Sequence, residues 1–137
     1  MSQSATPYQM IGGTDAVAAI VDRFYDLMDS DPSYADLRAL HARDLGTVRH
    51  GFALFLNAWL GGPKDWFERG SCVMSLHRRF PISSSVADQW SDAMARAIAA
   101  QPGIDKQLGL AMAERLGHMA RAMVNRAEDD AAQADAA

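Results

Sequence analysis

A single cysteine, Cys72, stands among 137 residues. That excludes a disulfide framework within the chain and a cysteine-rich zinc site. No apolar run approaches the roughly 20 residues a membrane-spanning helix needs, so no membrane partner is expected. The opening stretch "MSQSATPYQM" has neither the basic region nor the apolar run of a secretory signal, which makes the expected location cytoplasmic. Net charge is -4, so bulk electrostatics does not attract nucleic acid or an anionic membrane. Familiar catalytic spacings are missing as well. None of the four histidines (His41, His50, His77, His118) forms a His-x-x-x-His pair, and none has a glutamate three residues before it. There is no glycine-rich phosphate loop, no Ser-His-Asp pattern and no zinc signature, so the common hydrolases, nucleotide enzymes and di-iron proteins find no support.

What is present is helical. Apolar residues make up 49% and charged residues 22%, an ordinary composition for one globular domain. After Gly12 and Gly13, Thr14 is the expected N-cap of a helix carrying Val17, Ile20, Val21, Phe24, Leu27 and Met28 on one face, with Asp15 suiting the helix dipole. Asp31 and Pro32 open a short helix that ends near His41. A longer one is expected from about Asp44 to Leu60, with Leu45, Val48, Phe52, Phe55, Leu56 and Trp59 as its buried face and "GGP" as its stop. "KDWFERGSCVMSLHRRFPIS" is less regular: a loop, a short helix ending near His77, then an extended exit around Pro81. Ser84 or Ser85 is the expected cap of the next helix, lined by Val86, Trp90, Met94 and Ala97 or Ile98. The last helix begins near Asp105, with Leu108, Met112, Leu116, Met119 and Met123 inside. One domain over 1–126 is expected, followed by an acidic, disordered tail over 127–137. The connection between Gly61 and Ser84 exceeds the usual helix-helix length of about 2–8 residues. Long connections often carry function, and His77 lies in this one.

A single histidine suits one iron chemistry. Haem brings four nitrogens of its own, and one axial imidazole completes the proximal side. The protein then supplies a flat apolar slot, cations for the propionates, and polar groups on the distal side.

The chain resembles the truncated haemoglobins of the second group, small globins whose fold is an all-α, two-over-two helical sandwich around haem. The resemblance runs from about Tyr8 to Asn125. It is carried by "IGG", "FYDLM", "LHARDL", "FLNAWLGGP", "LHRRFPI", "DQW" and "MVN" in that order. It implies haem b (iron protoporphyrin IX) with His77 as the metal ligand. It makes Tyr25 the distal tyrosine, which periodicity alone would read as core. Trp90 becomes the tryptophan of the distal side, where its indole N–H can only donate. His41 takes the position after the short helix, and Val48 the distal position where larger globins use histidine. Phe52 lies one turn beyond Val48. Phe55, Trp66, Leu76, Phe80 and Met94 are pocket-wall candidates, each with core packing as its alternative; Ile82 helps close the slot, and His50 points elsewhere. The segment "GSCVMSLH" is shorter than in many relatives and has Leu76 where they often carry arginine, so propionate partners are not carried over from them. Arg79 or Arg78 beside the histidine is the candidate, with Lys64 behind them. Cys72 is expected to be inert.

The implied function is reversible binding of oxygen and other small gaseous or anionic ligands (carbon monoxide, nitric oxide, cyanide, sulfide) by a monomer or homodimer. Nitric oxide dioxygenase or peroxidase-like activity with a reductase is allowed, and fold does not choose among these. A haem-free helical interaction module is the alternative. It accounts for the core and the long connection but not for Tyr25, His77 and Trp90 together.

Overall fold

The computed structural model describes residues 5–68 and 80–125, and every regular element in them is helical. The chain opens on a helix the periodicity did not reveal, α1 (Pro7–Ile11). Its start is a capping box: the Thr6 hydroxyl accepts from Gln9 N–H while the Gln9 side chain accepts from Thr6 N–H, with Pro7 at the first helical position. The Gly12–Gly13 turn leads into α2 (Thr14–Ser30). Thr14 is not the cap expected of it. Gly13 holds that position at φ 76°, and the Thr14 hydroxyl is hydrogen-bonded to the hydroxyl of Tyr8 instead.

Asp31 caps the next segment as expected, its carboxylate accepting from Ser33 N–H. The segment is split into a 3-10 turn, Pro32–Tyr34, and the five-residue α3 (Ala35–Ala39). Then come α4 (Gly46–Trp59), α5 (Asp65–Glu68), α6 (Ser84–Ala99) and α7 (Lys106–Ala122). Ser83, not Ser84 or Ser85, caps α6 by accepting from Val86 N–H. Asp105 caps α7 by accepting from Leu108 N–H.

Four helices form two layers. α2 pairs with α4 and α6 pairs with α7, while α2 also packs on α6 and joins the layers. The core between them holds Val17, Ile20, Val21, Phe24 and Met28 of α2, Ala93, Met94, Ala97 and Ile98 of α6, and Met112 and Leu116 of α7. α4 departs from expectation. Leu45 and Leu56 are buried, but Val48, Phe52, Phe55 and Trp59 are only half-buried. Val86 and Trp90 on α6 are half-buried too. These residues keep helical spacing, but their faces are incompletely covered. Among the described residues no helix is long and apolar enough to cross a membrane. The expected F helix and tail, and with them Cys72, Leu76, His77, Arg78 and Arg79, lie outside the described residues.

Candidate functional site

Val48, Phe52 and Phe55 follow one another at four- and three-residue spacing, so they share one face of α4. That face meets α2 and α6 in a run of aromatic contacts. Trp66 of α5 stands edge-on to Phe55 at 5.8 Å between ring centroids, and Phe55 stacks on Phe52 at 6.2 Å. Phe52 then reaches Trp90 at 5.9 Å and Tyr25 at 6.3 Å. His41 lies edge-on to Tyr25 at 6.1 Å. Six site residues expected from sequence, distributed from position 25 to 90, thus form one contiguous cluster. Phe24 sits at its centre, 4.8 Å from Tyr25, 5.7 Å from Phe52 and 5.6 Å from Trp90. As a regular member of the α2 apolar stripe, Phe24 carried no signal separating it from core.

The remaining expectations fall differently. Val48 packs against the core from its half-buried position. Met94 is fully buried in the core. Phe80 is exposed, with its carbonyl accepting from the Asn125 amide. Ile82 is buried, and its N–H donates to Asn125. Lys64, His50 and His118 are exposed.

Electrostatics makes Tyr25 distinctive. Burial pushes its hydroxyl pKa well above the ordinary tyrosine range, with Arg49 pulling weakly the other way, so the group keeps its proton and remains a donor. Arg49, which sequence analysis missed, lies 5.6 Å over the Tyr25 ring. Its guanidinium is held by Asp22 at 3.1 Å and Asp26 at 3.0 Å, both on α2. Its only sequence signal was adjacency to Val48. Among the described residues nothing hydrogen-bonds the Tyr25 hydroxyl or the Trp90 indole N–H.

These residues fit haem. A flat, apolar group would cover the half-buried rings of Phe52, Phe55 and Trp90, and two donors that no described residue hydrogen-bonds stand beside those rings. Neither donor atom is sealed off, since Asn57 Oδ1 is the one fully buried polar side-chain atom without a partner among the described residues; both therefore stay open to an acceptor brought by a ligand. Among the described residues no three His, Cys, Asp or Glu side chains gather to hold a metal, and His77 lies outside them.

A profile of the bacterial-like globins matches residues 6–125. The chain belongs to the bacterial-like globin family. Solved relatives agree with its fold. The group II 2-on-2 haemoglobin of the plant pathogen Agrobacterium tumefaciens is 32% identical, with a TM-score of 0.86 over 93% of this chain and 98% of that one. The cold-adapted truncated haemoglobin of the Antarctic marine bacterium Pseudoalteromonas haloplanktis TAC125 is 30% identical, with a TM-score of 0.85 over 89% and 99%. The group II truncated haemoglobin of Bacillus anthracis is 27% identical, with a TM-score of 0.83 over 93% and 96%. No curated protein matches the chain. The all-α, two-over-two arrangement expected from the sequence is that of this globin, and haem is the family's cofactor.

Proposed function

We propose that this globin holds haem b with His77 as its one protein ligand and binds oxygen and other small ligands reversibly on the opposite side. The observation that carries the proposal is a pair of donors that no described residue hydrogen-bonds, Tyr25 O–H and Trp90 N–H, beside the half-buried ring faces of α4 and α6. Haem, when bound, supplies the iron at which a small ligand is held and that can change oxidation state. Around it the chain has three tasks. Phe52, Phe55 and Trp66 keep water away and give the slot its shape. Tyr25, kept protonated by burial, donates to a ligand atom that carries partial negative charge. Trp90 donates to the same ligand, and Val48 leaves that role to them by offering no polar atom. Arg79 or Arg78 pairs with a propionate. Chemistry beyond binding, on nitric oxide or peroxide, needs electrons from a separate reductase.

The test is an absorption spectrum and one substitution. Purified protein should show a strong Soret band. His77→Gly should lose the histidine-ligated ferrous spectrum, and added imidazole should restore it in part. A variant that keeps the parent spectrum without imidazole would remove His77 from the role, and a parent chain that takes up no haem would favour the interaction module.

A further inference from the structure

Trp90 takes only one place in the "DQW" motif. Gln89 beside it points to a different structure, the short helix α3. Its Oε1 accepts from Leu37 N–H at 3.1 Å, and its Nε2 donates to Asp36 at 3.2 Å. One and two turns further along α6, Asp92 accepts from the Tyr34 hydroxyl, and Arg96 donates at 2.8 Å to both Asp31 and that hydroxyl. A stripe of α6 therefore grips residues 31–37 while the neighbouring position carries Trp90.

The Gln89 contact has a definite physical role. The first N–H groups of a helix have no partner within it and need an outside acceptor. At α3 the cap residue is Tyr34, whose side chain makes no capping bond. Gln89 supplies the acceptor from another helix. At the other end the last carbonyls also need donors, and a histidine side chain can provide one. His41 Nδ1 lies 2.9 Å from the Leu37 carbonyl oxygen. That oxygen can only accept, so Nδ1 carries the proton. Gln89 and His41 hold the two sides of the same residue, Leu37, which is 3% exposed. A helix of five residues is too short to keep its place by its own hydrogen bonds.

We propose that Gln89 is a positioning residue for the distal site: by capping α3 from α6 it holds Leu37, whose carbonyl fixes the proton on Nδ1 of His41. The proposal rests on the haem-binding reading and on His41 lining the distal side, where its ring lies edge-on to that of Tyr25 at 6.1 Å. It makes one helix, α6, responsible for placing Trp90 directly and His41 at one remove.

The direct readout is the tautomer of His41 in the carbon monoxide-saturated ferrous protein, which is diamagnetic, by 15N–1H correlation of histidine-labelled protein. The parent should show protonated Nδ1. Gln89→Leu should shift the ratio of the two tautomers about two- to tenfold toward Nε2–H, the size of one ordinary net hydrogen bond. Gln89→Glu combined with Asp36→Asn keeps an acceptor for Leu37 N–H without setting two carboxylates against each other, and should retain the parent ratio. Tyr34→Phe breaks the neighbouring link to Asp92 and should cost stability while leaving the tautomer unchanged. A Gln89→Leu protein with an intact Soret band and the parent tautomer ratio overturns the proposal. The distal role is tested separately: His41→Phe should change oxygen release. If it does and the Gln89→Leu tautomer does not move, Gln89 alone loses its role; if His41→Phe releases oxygen as the parent does, the distal role fails.

Discussion

Tyr25 matters at the residue scale because it keeps its proton. Burial raises its pKa, so the folded chain holds the phenol proton at a pH where an unfolded chain, titrating near 10, has released it. The unfolded state then binds fewer protons, and folding stability falls as pH rises past about 10; below that its full contribution is present. Buried Tyr34, also shifted upward by burial, adds to the same loss. Denaturant midpoints between about pH 9 and 11 should therefore fall less steeply in Tyr25→Phe than in the parent. In the proposed site the same proton serves the ligand. A hydrogen bond to a partly charged acceptor is worth roughly 1.5–3 kcal/mol, so losing one donor should speed oxygen release about ten- to a hundredfold. Carbon monoxide carries little negative charge and should respond much less. Tyr25→Phe and Trp90→Phe should be non-additive, because both donors address one ligand. Stopped-flow release rates for the two single variants and the double check this. A double variant as slow as the parent would return both residues to core packing.

At the scale of elements, the "GGP" motif does more than stop α4. Gly61 turns the chain at φ 94°. Gly62 follows because the chain passes over Tyr8: a Cβ there would stand 2.6 Å from the ring Cδ2 and 2.7 Å from Cγ. The ring cannot easily step aside, since the Tyr8 hydroxyl is bonded to Thr14 and its N–H donates to the Leu60 carbonyl at 3.0 Å. Gly62→Ala should accordingly destabilise by about 1–3 kcal/mol, the usual cost of forcing extra volume into a packed contact. Gly103→Ala is the internal comparison. Nothing lies within 4 Å of its added Cβ. It should be neutral or stabilise by about 0.4–1 kcal/mol through the unfolded chain. Urea unfolding of both variants measures the difference.

Across the whole molecule, the two layers meet fully in the core but leave Val48, Phe52, Phe55 and Trp90 half-covered. Apolar surface left in water costs about 25 cal/mol per Å², so a group that covers these faces only in the folded state stabilises that state. Haem-loaded protein should unfold at a higher temperature than the haem-free chain. The gain should grow with free haem, reaching about 2.7 kcal/mol at a hundredfold excess over its dissociation constant. Thermal scans of the two forms over a range of haem concentrations decide this, and equal midpoints would refute haem as the covering group.

The sequence by itself determined α2, α4, α6 and α7 and the order of the motifs, but neither α1 nor α5. Apolar spacing located the core face of α2 and the buried centres of α6 (Met94, Ala97, Ile98) and α7 (Met112, Leu116), whereas Leu108, Met119 and Met123 are half-buried; Asp31 and Asp105 act as caps because a carboxylate satisfies N–H groups only a few residues away. Such signals are local, and local physics is written in consecutive residues. The capping box "TPYQ" that starts α1 is equally local. Tertiary structure decided what each apolar face meets. Periodicity assigns Val48, Phe52 and Phe55 to one side of α4, but it does not tell a sealed interface from a partly covered one. It also decided the partners of Gly62, Arg49 and Gln89, which lie on Tyr8, Tyr25 and Leu37. Those contacts join residues 24 to 54 positions apart, and only the packing of the layers brings them within reach.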